Sequence, residues 1–575
     1  MALAAEGKDV WNKQIVRWYA VQQKEDNFSD RIDFRDVTFG HDFKYFVFPC
    51  CVDFSGATLK SPSFLGASFN GSECRALKRK DGFGYFGHWS AWFSHTVFEK
   101  DVCLLHLRKM ERFSFYFSHA SFRGDKFDFE VRAVGLDTNQ ITLFFDDVKE
   151  FAPKGNAVIK CKAKNVELRL RGCNLHDVEL MVEIETQKLK LYFLNNDLKG
   201  AAVYFQDVKA TDDSSIALFK DNTVQKSWMA FRDLSLSGSI DFTNHDKMGL
   251  ETFFYRCNVD RLSFKKCSVG STFWQMIDCQ IAKNVKFDEV TFKCDGELTF
   301  PDRMDGLTEE EIKALPSHRR IAHGIDHDYT ERGFAFRGVK VEGTLSTIDN
   351  CNFIGPAIFE GSVFDCPVSL RNTTFKSDVP DWRLTKLNAH FSLDGIKVIA
   401  PTTYDEANGP EDFSDLSDRY RRLKELAITA KDHDRELEFF AEEMRAKRLG
   451  EEKWYLRFPN LLYGAVSAYG RSIARPIAAL VAIWFTVGYI VMMKWRILKG
   501  QYVDWDVAWQ SFKLSGSLLT PFLGLSRTVY NDMMKKLFDK EPLGFFVDTV
   551  FLLEGALGVI LIFLIGLALR NRFRL

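Results

Sequence analysis

Residues 51–69, CVDFSGATLKSPSFLGASF, carry large apolar side chains at Phe54, Leu59, Phe64 and Phe69, one every five residues. Two places before each stands Val52, Ala57, Pro62 or Ala67. A five-residue period matches neither the helical repeat nor the two-residue alternation of a strand. It fits a square coil with one side per five residues, whose large residues share one core. The same unit recurs at Ile32/Phe34, Val37/Phe39, Ala120/Phe122 and Cys351/Phe353. Between these, alternating pairs such as Leu168/Leu170, Leu189/Leu191, Met229/Phe231 and Leu262/Phe264 follow at unequal spacing. They read as successive strands of a β-solenoid whose loops differ in length.

That core accounts for 54 Phe against 16 Tyr and 12 Trp. The cysteines lie between Cys50 and Cys366 without a CxxC pair, so neither a disulfide framework nor zinc spacing is present. Segments such as RGCNL, YRCNV, KKCSV, IDCQI and DNCNF put Cys where a coil stacks a small residue, and buried filler is the expectation. A net charge of −1 argues against a generally nucleic-acid-binding surface. Residues 1–30 lack an apolar signal region and read as an amphipathic helix burying Trp11, Ile15 and Trp18 or Tyr19, suited to cap the first coil.

The run at 52–69 resembles the pentapeptide-repeat family, whose members form right-handed quadrilateral β-helices with four five-residue sides per turn. The resemblance is specific there and degenerate onward to residue 398. It implies an irregular right-handed β-helix over 31–398, with insertions near 75–96 and 301–335. The second insertion holds His318, His323 and His327, but its Gly324 and polar surroundings read as a solvated loop rather than a metal site. No metal and no cofactor are expected.

Residues 399–412 form a Pro/Gly/acid-rich linker, and 413–452 form a helical hairpin resembling a single tetratricopeptide-like unit. Its stripes are Leu416, Tyr420, Leu423 and Ala427, then Leu437, Phe440 and Met444. This hairpin is placed to couple the solenoid to the apolar C-terminal segment. Residues 453–470 are rich in Trp, Tyr, Phe and Arg in the manner of interfacial segments. Ile477 to Met493 and Phe545 to Leu569 are uncharged or nearly so and long enough to span a bilayer. Two spans bring both ends to one side, and Arg471, Arg475, Arg570, Arg572 and Arg574 suit a cytoplasmic N-terminal domain and C-terminus.

Residues 505–527, between the spans, are apolar and aromatic yet too short to cross, the layout of a re-entrant pore helix and loop. The loop residues are Ser515, Gly516, Ser517, Thr520, Pro521, Phe522 and Gly524. Span, pore loop and span over 471–575 resemble the two-transmembrane ion channels of the voltage-gated-like superfamily. The ending LIGLALRNRFRL resembles the close of bacterial pentapeptide-repeat proteins that carry such a module. The resemblance implies a homo-oligomer, a tetramer being favoured, in the bacterial inner membrane. It would contact membrane lipid, conduct cations as permeant ions, and be gated through its cytosolic solenoid by a protein or small-molecule regulator. A T-V-G-Y-G filter is absent, so potassium selectivity is not implied.

Glu554 interrupts the second span. On a helix it shares a face with Gly558, Leu561 and Ile565. The leading reading makes this face a pore lining, with the carboxylate in water above an apolar constriction, because no basic residue lies deep in either span. The other reading bonds Glu554 to a backbone or hydroxyl group in a packed helix pair, holding the loop in place. For the whole chain, the alternative to a channel is a membrane-anchored scaffold that binds a protein without conducting ions. No P-loop, GxSxG or HExxH motif occurs, and no enzymatic activity is expected.

Overall fold

The computed structural model describes residues 6–14 apart from 8, most of 31–293 and 333–399, and 410–573 apart from 452, 501, 521–523 and 540–543. Two compact units result, Met1–Thr402 and Thr403–Leu575.

The first unit is a β-solenoid whose described pairings are parallel, each strand meeting its counterpart one turn later. At the N-terminal end Ile32 pairs with Val52, a step of 20 residues that four five-residue sides provide. Farther on, Lys160 meets Glu183 after 23 residues and Asn196 meets Asn222 after 26. The strands have lengthened: Thr58–Leu59 has 2 residues, whereas Asn156–Arg171 and Glu179–Leu194 have 16 each and run through two sides of the turn, the two halves of each pairing with different strands of a neighbouring coil. Register shifts at Thr186/Lys190, Ala210/Ser215 and Leu236/Ser239 bend these long strands around the coil.

One corner repeats from turn to turn. Asp147, Asn195, Asp221, Asn244, Asn350 and Asn372 have φ between 52° and 58°, the left-handed region that Asn and Asp tolerate best among residues with a Cβ. Their N–H groups donate to the neighbouring coil, Asp147 to the Arg171 carbonyl, Asn195 to Lys220 and Asn372 to Asp394. Gly172 takes the same corner at φ 63°, where an added Cβ would run into the Asp147 carboxylate.

Stacking fills the interior with phenylalanine. Phe54, Phe93, Phe117 and Phe145 form one column at centroid spacings of 5.1, 5.0 and 4.8 Å. These spacings match the distance between paired strands, so a ring in one coil lands on the ring of the next. Leu59 and Phe64 are also buried, and Phe69 lies on the strand Ser68–Phe69 paired with Val47–Phe48. Trp11, on the helical segment 9–14, is 2% exposed and closes the first coil against Phe34, Phe46 and Phe48. Ile15, Trp18, Tyr19, residues 70–88, and the stretch 294–332 with its three histidines lie outside the described residues.

Directly after the left-handed corner comes an inward column holding Cys173, Asn196, Asn222, His245, Cys267 and Cys351, all buried. Each donor finds a carbonyl of the previous coil or its own: Cys173 Sγ lies 3.2 Å from the Phe145 oxygen, Asn196 Nδ2 donates to Leu170 at 3.0 Å, and Asn222 Nδ2 donates to Phe193 at 2.9 Å. Burial pushes the Cys173 and Cys351 thiols up to about 12 and holds the His245 imidazole below its ordinary value. The thiolate is the reactive form, so native protein at pH ~8 should leave Cys173 and Cys351 unmodified by iodoacetamide, with labelling appearing only as guanidinium unfolds the coil. Prompt labelling of either in native buffer would contradict this packing.

Helices make up the second unit: α1 (Pro410–Thr429), α2 (His433–Gly450), α3 (Trp454–Ser467), α4 (Ala474–Lys499), α5 (Trp505–Leu519), α6 (Gly524–Phe538) and α7 (Phe545–Arg572). Leu416, Tyr420, Leu423 and Ala427 are the buried stripe of α1. On α2 the inward residues are Phe439, Glu443 and Ala446, whereas Leu437, Phe440 and Met444 are half-buried. The buried face of α2 is thus offset from the expected stripe and includes an acid. Asp432 caps α2 by accepting from the Arg435 N–H at 3.1 Å.

Both α4 and α7 are long and apolar enough to cross a membrane. Their 26 and 28 residues exceed the expected spans, and at ~1.5 Å per residue each surpasses a ~30 Å hydrocarbon core. Between them the structure has two helices where the sequence suggested a helix and an irregular loop to residue 527. Residues 524–538 look polar enough for a loop, but Val529, Tyr530, Met533 and Leu537 give α6 an apolar stripe that packs on α4 and α7.

Candidate functional site: the α4–α7 helices around Glu554

α5 lies against both long helices, and small residues let the backbones approach. Gly488 of α4 sits under the Phe512 ring, and Gly516 of α5 faces the Trp484 indole. At Gly558, halfway along α7, an added Cβ would be 2.5 Å from the Leu519 carbonyl oxygen and 3.0 Å from its Cα. The last turn of α5 therefore abuts the middle of α7.

α5 and α6 have 15 residues each, roughly 22 Å at ~1.5 Å per residue, too short to cross a bilayer. They form a hairpin that returns to its starting level: Lys499, ending α4, reaches Asp539, just past α6, at 3.6 Å. Polar groups at the described part of the tip find partners within the hairpin. Ser526 Oγ donates to the Thr520 carbonyl at 2.5 Å, Thr520 Oγ1 lies 3.3 Å from the Gly516 oxygen, and Ser517 Oγ donates to Leu514 at 2.7 Å. These hydroxyls cover carbonyls at the described ends of the two helices. Pro521 and Phe522 lie outside the described residues.

Glu554 is 1% exposed. Ser515 Oγ of α5 lies 2.5 Å from Glu554 Oε1 and 3.1 Å from the Trp484 carbonyl oxygen of α4. The Trp484 indole N–H donates in turn to the Phe512 carbonyl at 2.8 Å. Glu554 Oε2 is buried with no hydrogen-bond partner among the described residues. Asp548, the other acid of α7, is exposed. Gly558 and Leu561 are buried with Glu554 on one face, and Ile565 is half-buried. A pore lining would leave that face open to water. Within the protomer the carboxyl turns instead to a serine hydroxyl on the neighbouring helix, because an acid deep in an apolar helix bundle needs a polar partner more than a solvent it cannot reach.

No protein-family model, curated protein or solved structure matches the chain. Its own geometry must therefore carry the functional reading.

Two further features escaped the sequence. On the α1–α2 hairpin, Glu443 is 2% exposed with Lys424 Nζ and Lys447 Nζ each at 2.6 Å and Arg421 Nε at 3.4 Å. Burial alone would push this carboxyl up, but the two lysines outweigh it and hold it below its ordinary value. A depressed carboxylate contributes stability above its unfolded value and loses it as pH falls through the folded one. Glu443→Gln should therefore melt lower than wild type at neutral pH, and the gap should shrink as pH falls below 4.5. A gap in melting temperature that stays constant from neutral pH to about pH 3 would rule out the ionic clamp.

The second feature is an elbow between α3 and α4. Ala468, Tyr469 and Gly470 follow one another at φ 49°, 56° and 81°. Asn460 of α3 donates to the Met444 carbonyl of α2 at 3.0 Å, Arg448 of α2 reaches the Tyr469 hydroxyl at 3.5 Å, and Asn571 of α7 donates to the Gly470 carbonyl at 3.4 Å. The elbow thus touches the α1–α2 hairpin on one side and the end of α7 on the other. α3 itself exposes Trp454, Tyr455, Leu456, Phe458, Leu461 and Leu462.

Proposed function

We propose that the chain is an oligomeric cation channel of a bacterial inner membrane, with α4–α7 as its pore module and the β-solenoid as its regulatory input. The observation that carries this reading is the α5–α6 hairpin: it is too short to cross, begins and ends at one level, and reaches the middle of a span-length helix. A pure anchor has no need of such a device. In a tetramer Thr520 and Gly524, at the described ends of α5 and α6, would approach the common axis. Glu554 then stands behind the pore helix and holds it, and Gly558, Leu561 and Ile565 could line water only after α5 leaves α7. The exposed aromatic and aliphatic side chains of α3 suit the headgroup level of the bilayer. Movement of the α1–α2 hairpin would reach α7 through the elbow, given a regulator that binds open and closed states unequally.

A second reading, the anchored scaffold, is favoured by one observation: the acid deep in α7 is used inside the protomer, leaving apolar outer faces such as Leu552, Leu553, Leu557, Ile560 and Phe563 that suit lipid alone. Single-channel recording of the full chain in planar bilayers separates the two. Discrete currents that change in Ser515→Ala or Glu554→Gln support the channel. Silence from all three proteins, with the chain inserted, supports the scaffold.

A further inference from the structure

The geometry points to a binding site for a small monovalent cation, Na⁺ or Li⁺, between α4, α5 and α7 within one protomer. The inference rests on the membrane reading of α4 and α7 but not on conduction. Three oxygens from three helices converge: Glu554 Oε1, Ser515 Oγ at 2.5 Å from it, and the Trp484 carbonyl 3.1 Å beyond. Glu554 Oε2 is fully buried and lacks a partner among the described residues. The C-terminal carbonyls of α5 add to this group, since Leu518 and Leu519 present their oxygens to α7 at Gly555 and Gly558, within a turn of Glu554. The negative end of the α5 dipole favours positive charge at the same place, as broken helices at membrane depth do for Na⁺.

Hydrogen counting leads the same way. Ser515 has one hydroxyl proton and two acceptors, Glu554 and the Trp484 carbonyl. Whichever acceptor takes that proton, an ionised Glu554 keeps its charge and an unpartnered Oε2 in an apolar surrounding, so the site needs either a proton of its own or positive charge beside it. No described cation provides it: Lys513 on α5 is exposed and directed over the Trp509 ring, and Arg570 and Arg572 on α7 are exposed. A bound alkali ion would satisfy Oε1, Oε2 and the Ser515 lone pairs together. The donor set is all oxygen, which selects a hard ion. A single carboxylate matches one positive charge, whereas a divalent ion would leave net charge in an apolar surrounding. The close spacing of the oxygens favours Na⁺ or Li⁺ over K⁺. Such an ion would pin the α5–α6 hairpin to α7 and α4.

The test is the rate at which a hydrophobic carbodiimide modifies Glu554 in membrane vesicles containing the full chain, read by peptide mass spectrometry in NaCl, LiCl, KCl and choline chloride at equal ionic strength. The expected result is modification at Glu554 that slows about tenfold when Na⁺ is ten times its dissociation constant, with KCl behaving like choline. Ser515→Ala should still be modified but lose the protection. Equal rates in all four salts would mean that the carboxyl holds a proton alone and would overturn the site, as would absence of modification in every salt. Alkaline carbonate extraction of the same vesicles reads insertion separately, so a failed membrane reading is told apart from a failed site.

Discussion

Phe231→Ala should destabilise the solenoid by about 3–5 kcal/mol, the usual cost of emptying a phenylalanine-sized space in a packed core. Phe231 is 1% exposed, stacked on Phe205 at 4.9 Å and on Phe254 at 4.6 Å, with Phe219 and Phe242 edge-on at 5.9 and 6.2 Å. Its removal breaks a column on both sides at once, and the flanking rings cannot close the gap because each is fixed at strand spacing by its own pairings. In a solenoid each coil contacts only its neighbours, so the damage should be local. Cys257 reports on it directly, since its Sγ lies 3.3 Å from the Phe231 carbonyl. In mild guanidinium Cys257 should become alkylatable in the variant while Cys351, two coils farther on, stays protected. Denaturation that shifts by less than about 1 kcal/mol would show that the column is not a structural core.

The five-residue period could be read at 52–69 because sides of two or three residues leave nothing else to see. Where one strand runs 16 residues through two sides of a turn, the period dissolves into plain alternation, which still names strands but not their number per turn. Cysteine as core filler was visible from the recurring small-residue position. Asn196, Asn222 and His245 were not, because polar residues on a core position read as surface until the left-handed Asn or Asp before each is recognised as the corner. That signal is present in the dipeptides Asn195–Asn196, Asp221–Asn222 and Asn244–His245. At the membrane-length helices, the cost of an acid in an apolar run made Glu554 stand out. Its partner stayed hidden, since Ser515 is 39 residues away and the serines and glycines of α5 lie on more than one side of the helix, leaving its rotation undetermined. The Glu443 clamp was hidden for a related reason: charges along α1 and α2 are dense, and only packing decides which one is turned inward.

Gly558→Val is expected to unseat the α5–α6 hairpin from α7. Any Cβ at this position meets the Leu519 carbonyl oxygen at 2.5 Å, its Cα at 3.0 Å and its carbonyl carbon at 3.1 Å. These are backbone atoms at the end of a helix, so they cannot turn aside as a flexible side chain would. Overpacking of a core costs about 1–3 kcal/mol, and valine, with two further methyl groups and a stiff χ1, should lie at or above the top of that range. Relief requires α5 to move as a body, and Ser515, one turn back from Leu519, would move with it away from Glu554. Gly566→Val is the matched control, because Gly566 is on the same helix with nothing within 4 Å of an added Cβ. Hydrogen exchange of the detergent-solubilised protein should rise across 505–538 in Gly558→Val and remain at the wild-type level in Gly566→Val. Equal exchange in the two variants would mean that α5 is not seated on α7. If the channel reading holds, the same pair of variants tells what the seat does: a higher open probability in Gly558→Val alone makes the α5–α7 contact the closed state, and loss of current in it alone makes that contact the support of the conducting one.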